Sequence, residues 1–385
     1  MNNFRIGDLT AKYPIVQGGM GVAISLSGLA AAVANEGGIG VISAVGIGMT
    51  EPDYIKNFRA ANIRALRKEI RKARTLTNGV IGVNIMMALS DYEDLTITAV
   101  EEKIDVIFMG AGLPLKIPTL LANAGITNHN TKIVPKVSSA KAAKVIFQYW
   151  ASKYNFVPDA VVVEGPLAGG HLGFTKSDLA NNSKTLASLI KETVDVIRPF
   201  EKQFNKNIPV IAGGGISSGK DIYDIMQSGA QAVKLGTLFV PTYECDASPE
   251  FKESYINCKK EDIVIIDSPV GLPGRVIRND FVDQIMAGKT KPFKCPWQCL
   301  STCNFKEAPF CIAQALFNSA QGKLDEGFVF AGANVYKSDR MRHVSEVMDN
   351  LVAEYETEIL KNKVISLNIN MSQTNRNHTV LGIAV

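Results

Sequence analysis

The sequence predicts an α/β fold, a (β/α)8 barrel. Three observations predict it. Eight short apolar runs alternate with helix-patterned segments over about 235 residues, the arithmetic of a (β/α)8 barrel. Two small-residue turns, Gly213-Gly214-Gly215 and Gly236-Thr237, follow the last two of those runs in the order in which such barrels build a phosphate site. The turn after the first run, Gly18-Gly19-Met20-Gly21, lacks the spacing of a dinucleotide fingerprint, which removes the doubly wound sheet as a rival.

In chain order the predicted strands are Pro14–Gln17, Gly40–Ser43, Ile81–Ile85, Val106–Met109, Ile133–Val137, Ala160–Val163, Val210–Ala212 and Ala232–Leu235. Each is a short β-branched or apolar run of the kind buried on both faces of a parallel sheet. Helical periodicity fills the gaps at Ser25–Glu36, Asp53–Arg74, Lys116–Asn123, Ala140–Trp150, Asp178–Pro199 and Gly219–Gln227. The first residues read as leading almost directly into strand one. The predicted division is a barrel over 1–245, an inserted lid over 246–325, and a return to the barrel with a tail over 326–385. Lys361 to Val385 mixes β-branched and polar residues and reads as an edge hairpin or an unstructured tail.

Composition narrows the function. Of 385 residues 46% are hydrophobic and 20% charged, enough for a large core, and the net charge of +4 is small for that length. The densest basic run, Arg64 to Arg74, alternates with apolar residues at helical spacing and reads as a solvated helix face, so neither nucleic acid nor a membrane surface is indicated. No apolar run reaches membrane-spanning length and no secretion signal opens the chain, so the cytoplasm is the expected location and a homodimer the expected assembly.

In a barrel the chemistry sits at the C-terminal ends of the strands. Strand six runs into Glu164 and then the glycine-rich turn Gly165-Pro166-Leu167-Ala168-Gly169-Gly170-His171. Glycine lets backbone approach a flat ligand, and a histidine there can act as acid or base near neutral pH. His129, His343 and His378 have no such setting and read as surface residues. The bare amides of Gly213–Gly215, ahead of a helix that Ser217 or Ser218 can cap, form a phosphate cradle. On the same rim stand Gln17 to Met20, Asn84, whose amide can bond the edge of a planar ring, and Lys136, a cation suited to the pyrimidine end of a flavin. Together they read as an FMN site.

These motifs resemble the nitronate monooxygenase family, formerly the 2-nitropropane dioxygenases, which also holds the flavin-dependent enoyl-ACP reductases. The matching pieces are Tyr13 to Met20, Ala30 to Gly40, Gly82-Val83-Asn84, Ala168 to His171, Pro209 to Gly215, and Leu235-Gly236-Thr237 with Glu244-Cys245, and they cover residues 10–250 almost continuously. Phe330 to Asn334 is similar to the family's closing loop beside the flavin. The resemblance implies an FMN-containing (β/α)8 barrel with a smaller helical lid inserted after strand eight. It further implies FMN contacts at Gln17, Gly18, Gly19, Met20, Asn84, Lys136, Glu164, Gly169, Gly170, Gly213, Gly214, Gly215, Gly236 and Thr237, with His171 as the catalytic histidine. The chain departs from the family at Leu238, where many relatives have arginine, and at Lys234, where glutamine is usual.

The expected activity is oxidation of alkyl nitronates with dioxygen. The alternatives are NAD(P)H-dependent reduction of an enoyl thioester or other activated alkene, and a non-catalytic FMN sensor. One feature lies outside all three. Cys295, Cys299, Cys303 and Cys311 follow a C-x3-C-x3-C-x7-C pattern, with Pro296 and Pro309 favouring a looped segment able to wrap a compact centre. Clustered thiols in a chain without a secretion signal point to metal ligation, here a 4Fe–4S cluster; zinc is a lesser alternative because its C-x2-C knuckle is missing, and unliganded thiols are the third reading. Cys245 and Cys258 have no such spacing.

Overall fold

The computed structural model describes residues 1–380, apart from Asn182 and Pro296, with side chains described as far as residue 364. Eight parallel strands form the barrel: Ile15–Gln17, Gly40–Ser43, Ile81–Met86, Val106–Gly110, Lys132–Val137, Val161–Glu164, Val210–Gly213 and Ala232–Leu235. Strand eight returns to strand one through Val233 opposite Ile15 and Leu235 opposite Gln17. The ring closes between strands one and two at the Val16–Ile39 bridge, where the Gln17 amide donates to Ile39 O at 2.9 Å.

The lower half of the barrel is filled by Val16, Ile39, Val41, Val106, Phe108, Val134, Val162, Ile211 and Ala232. Phe4, Ile6 and Ala11 belong to that same cluster. They come from an antiparallel hairpin, Phe4–Ile6 paired with Leu9–Ala11, which plugs the N-terminal mouth. The direct entry into strand one expected from the sequence is therefore corrected: the buried–exposed–buried alternation of Phe4-Arg5-Ile6 makes a strand first.

Outside the ring run Ser27–Asn35, Tyr54–Leu76, Tyr92–Glu101, Ile117–Asn123, Ala140–Tyr154, Leu186–Phe204 and Gly219–Met226. Two differences from expectation have local causes. The single helix Asp178–Pro199 is two, Lys176–Ala180 and Leu186–Phe204, because Thr175 with Asp178 and Thr185 with Ser188 each form a capping box and so start a helix twice. The segment left between hairpin and tail is helical instead: Val344–Val380 is one helix. Its first turns bury Val344, Val347, Met348 and Leu351, and once anchored there the helix extends at one hydrogen bond per added residue. That helix packs beside Gly219–Met226 and Ser27–Asn35, the place of an eighth barrel helix. Gly219 permits the approach, since a Cβ there would stand 2.3 Å from Leu351 O, and its amide donates to Glu354 Oε2 at 2.6 Å. Residues 381–385, the end of the expected tail, lie outside the described residues, as does Pro296.

The insertion is not purely helical, as the sequence suggests. Between the helices Pro249–Ile256 and Asp280–Met286 lie antiparallel strands Ile263–Asp267 and Pro273–Ile277, and Val329–Phe330 pairs with the latter. The β-branched run Ile263-Val264-Ile265-Ile266 drives this sheet. Its central strand also pairs with Gly170–His171, Gly274 lying opposite His171, so the lid is stitched by backbone to the barrel rim. Among the described residues no helix is long and apolar enough to cross a membrane.

Candidate active site

Above the C-terminal ends of the strands opens a cavity of about 550 Å³, roofed by the insertion. His171 and the candidate cofactor contacts line it, with the exception of Gln17. Gln17 is fully buried behind the wall, its Oε1 accepting from the Val41 amide at 2.7 Å and its Nε2 donating to Gly18 O. It shapes the first turn from behind. Gly18, Gly19 and Met20 then pass beneath Asn84, and a Cβ on Gly19 would stand 2.4 Å from the Asn84 Cβ. Glycine is required there for the turn and the amide to share one wall.

His171 is placed by both layers of the molecule. The two-residue strand Gly170–His171 fixes its backbone, Ser268 Oγ lies 2.7 Å from Nε2, and Phe330 meets the ring edge-on at 4.9 Å. Burial, with the Lys136 ammonium second, pushes the imidazole down from its ordinary 6.5 to about 4. At neutral pH His171 is therefore uncharged, with one ring nitrogen donating and the other accepting. Ser268 is a site residue that the sequence did not reveal, because it lies 97 residues away in a strand turn with no motif around it.

Lys136 at the end of strand five reaches Glu164 at the end of strand six, 3.0 and 3.1 Å from its two carboxylate oxygens. Lys234 on strand eight lies beside this pair. Its Nζ is buried without a hydrogen-bond partner among the described residues, 4.1 Å from the centre of the Phe108 ring. Desolvation first, then repulsion from Lys136, lowers its amine to about 7, partly offset by Glu164. An unpartnered nitrogen in a wall of a polar-floored cavity calls for a ligand acceptor. Arg275, also buried, donates to Ala168 O and holds the turn ahead of Gly169, while burial lowers its guanidinium to about 10.

The phosphate end has a different composition from the expected helix terminus. Ser218 caps Gly219–Met226 by accepting from the Asp221 amide, and Glu354 takes the Gly219 amide, so the first turn is already satisfied by protein. Ser217 instead bonds Asp221, its amide donating at 2.8 Å. The cradle is the loop before it. Gly214 and Gly215 have φ of +100° and +83°, and among the described residues none accepts a hydrogen bond from the amides of Gly214, Gly215 or Ile216. Asn334 Nδ2 holds Gly215 O at 2.6 Å, and Thr237 Oγ1 accepts from the Gly332 amide at 3.1 Å. Bare amides, an unpartnered lysine nitrogen and a cavity of this size fit FMN; Gly214–Ile216 and Gly236–Thr237 would hold its phosphate, and Gly19–Met20, Asn84, Lys136 and Gly169 would hold its ring.

The other histidines stand apart. His129 is exposed and bonds Thr131 O at 3.0 Å, and His343 is exposed and pairs Nδ1 with Glu244 Oε1 at 2.9 Å. The side chain of His378 lies outside the described residues. Cys295, Cys299, Cys303 and Cys311 surround a second, smaller void, and Cys299 lines the main cavity as well. Among the described residues no three His, Cys, Asp or Glu side chains are arranged around a single-ion position.

The family model described as nitronate monooxygenase matches residues 2–354. FabK from Thermotoga maritima is 29% identical, with 92% of this chain and 96% of that one covered at a TM-score of 0.70. A probable nitronate monooxygenase of Staphylococcus haemolyticus is 26% identical over 393 residues, covering 92% of this chain and 98% of its own. A (3aS,4S,5R,7aS)-5-hydroxy-7a-methyl-1-oxo-octahydro-1H-indene-4-carboxyl-CoA dehydrogenase of Rhodococcus jostii is 27% identical over 274 residues, which are 71% of this chain and 65% of that protein's length. With the barrel, the histidine turn and the flavin-shaped cavity in place, the match over residues 2–354 makes this chain a member of the nitronate monooxygenase family, whose typical cofactor is FMN, and an oxidoreductase.

Proposed function

We propose that this enzyme reduces or oxidises the carbon–carbon bond next to the carbonyl of an acyl thioester, the chemistry of the family's enoyl reductases. The observation that carries the reading is the apolar share of the wall of the cavity that holds His171. Phe58, Leu89, Leu300, Ile312, Ala313 and Leu316 line it, a surface far larger than a small nitroalkane needs and suited to an acyl chain. FMN, when bound, supplies two-electron redox chemistry at its ring.

The protein's own residues do the rest. Ser268 fixes Nε2 of His171, which leaves Nδ1 for the substrate. With the Ser268 hydroxyl donating, Nδ1 carries the proton and donates to the thioester carbonyl oxygen as negative charge develops there. With the roles reversed, Nδ1 is the base for an α-carbon proton. The roof of the cavity excludes water and strengthens both interactions.

A second reading, oxidation of alkyl nitronates, is favoured by the two lysine nitrogens, Lys136 and Lys234, that give the floor a positive field suited to a small anion. Anaerobic stopped-flow separates the two. The first reading expects NADH or NADPH to bleach the flavin and a long-chain enoyl thioester to restore its colour faster than a short-chain one. Bleaching by alkyl nitronate alone, with none by either nicotinamide, would overturn it in favour of the second.

A further inference from the structure

The four clustered cysteines belong to a segment with no evident reason to be ordered. Between Met286 and Ile312 the described residues contain no helix and no strand beyond the isolated Leu89–Leu300 bridge. Unstructured connections of that length are uncommon inside a compact domain unless something fixes them. The segment is nevertheless pinned to the barrel rim. Trp297 stacks on Phe58 at 5.1 Å and donates Nε1 to Ile55 O at 3.3 Å, while the Ser90 and Ser301 amides exchange with Cys299 O and Ala88 O at 3.0 and 2.9 Å.

Inside the fold so made, the Cys295, Cys299, Cys303 and Cys311 sulfurs converge on one void whose other walls are Phe293, Leu300, Phe305 and Ile312. None of the four forms a disulfide. Four free thiols lining one apolar void form a soft donor set, and positive charge bound there would hold them together as thiolates. Two features suit bound thiolates: the Gln298 amide donates to Cys295 Sγ at 3.3 Å, and Cys311 stands at the N-cap position of helix Ile312–Ala320, its sulfur making no capping hydrogen bond. Lys289, Lys291, Lys294 and Lys306 supply cations in the same segment.

We propose that this void is the site of a 4Fe–4S cluster ligated by Cys295, Cys299, Cys303 and Cys311. A single zinc ion commonly takes a C-x2-C knuckle, whereas three residues separate Cys295 from Cys299 and Cys299 from Cys303, and seven separate Cys303 from Cys311. A cubane spreads its four thiolates over its corners, and the aromatic walls keep water from its sulfides. Cys299, Leu300, Ile312 and Ala313 line both this void and the main cavity, so the cluster would stand one side chain from the apolar part of that cavity. The site does not rest on which substrate the enzyme takes.

The test uses the full chain purified without oxygen, with iron, acid-labile sulfide, zinc and FMN measured on the same sample. The expected result is about four irons and about four sulfides per chain, with a broad brown absorbance that dithionite bleaches. C299S loses iron and sulfide while keeping FMN. C303S, at a partly exposed sulfur, does the same if C299S fails to fold. Stoichiometric zinc without sulfide overturns the cluster. So does protein that stays metal-free, with four titratable thiols, after anaerobic incubation with ferrous iron and sulfide. Metal and sulfide content are read without turnover, so loss of the acyl-thioester reading leaves the result standing.

Discussion

At the scale of single residues, two buried titratable side chains of the cavity wall, His171 and Lys234, each have a pH signature. His171→Ala should retain FMN and the fold while turnover falls by roughly 10²–10⁴, the usual range for a lost acid–base group; equal loss of flavin would make the residue a cofactor contact. The native imidazole takes up its proton only near 4, whereas an unfolded one does so near 6.5. Its contribution to stability is therefore complete above 6.5 and is lost as the pH falls from 6.5 to about 4. Denaturation melts of wild type and H171A across that window should converge at the acid end. Lys234 has the opposite kind of importance, since its buried amine has no hydrogen-bond partner of its own. Lys234→Met should raise the melting temperature of flavin-free protein at neutral pH, where burying the ammonium is a cost, and weaken FMN binding. Unchanged FMN affinity by fluorescence titration would remove Lys234 from the cofactor site.

Elements explain what could be read from the sequence and what could not. The eight barrel strands were legible almost to the residue because each is an apolar run bounded by glycine or a polar cap, and a parallel strand buried on both faces needs nothing more. The glycine turns were legible because a positive φ or a close contact demands that residue type. The lid sheet was not, since Pro273-Gly274-Arg275-Val276-Ile277 looks like a loop until Gly170–His171 and Val329–Phe330 come to lie beside it. Neither was the helix Val344–Val380, whose polar stretches form a helix because its first turns are packed. Nor was Ser268 or the carboxylate of Glu354, both long-range partners with no local pattern. At this scale Gly214→Val is decisive. Its Cβ would stand 2.9 Å from the Ala168 amide at a φ of +100°, so the substitution displaces both the phosphate loop and the turn leading to His171. Isothermal titration should show FMN affinity falling by a larger free energy than the stability of the barrel; the reverse order would move the phosphate site elsewhere.

Over the whole molecule the two mouths of the barrel have separate duties. The C-terminal mouth holds the chemistry, and the N-terminal one is sealed by the hairpin, with Ile6 fully buried among Val16, Val106 and their neighbours. Ile6→Ala should cost about 2–5 kcal/mol of stability through loss of packing and the void it leaves, with FMN affinity unchanged. Chemical denaturation beside flavin titration checks both halves, and a parallel fall in FMN binding would show that the two mouths are coupled.

The pairing of Gly274 with His171 has a further consequence. The imidazole owes its position to a strand, a hydroxyl and an aromatic ring that all arrive with the insertion, and the strand ladder cannot part without letting the imidazole go. Roof and imidazole are therefore one unit, and a substitution that displaces the lid strand displaces the histidine with it.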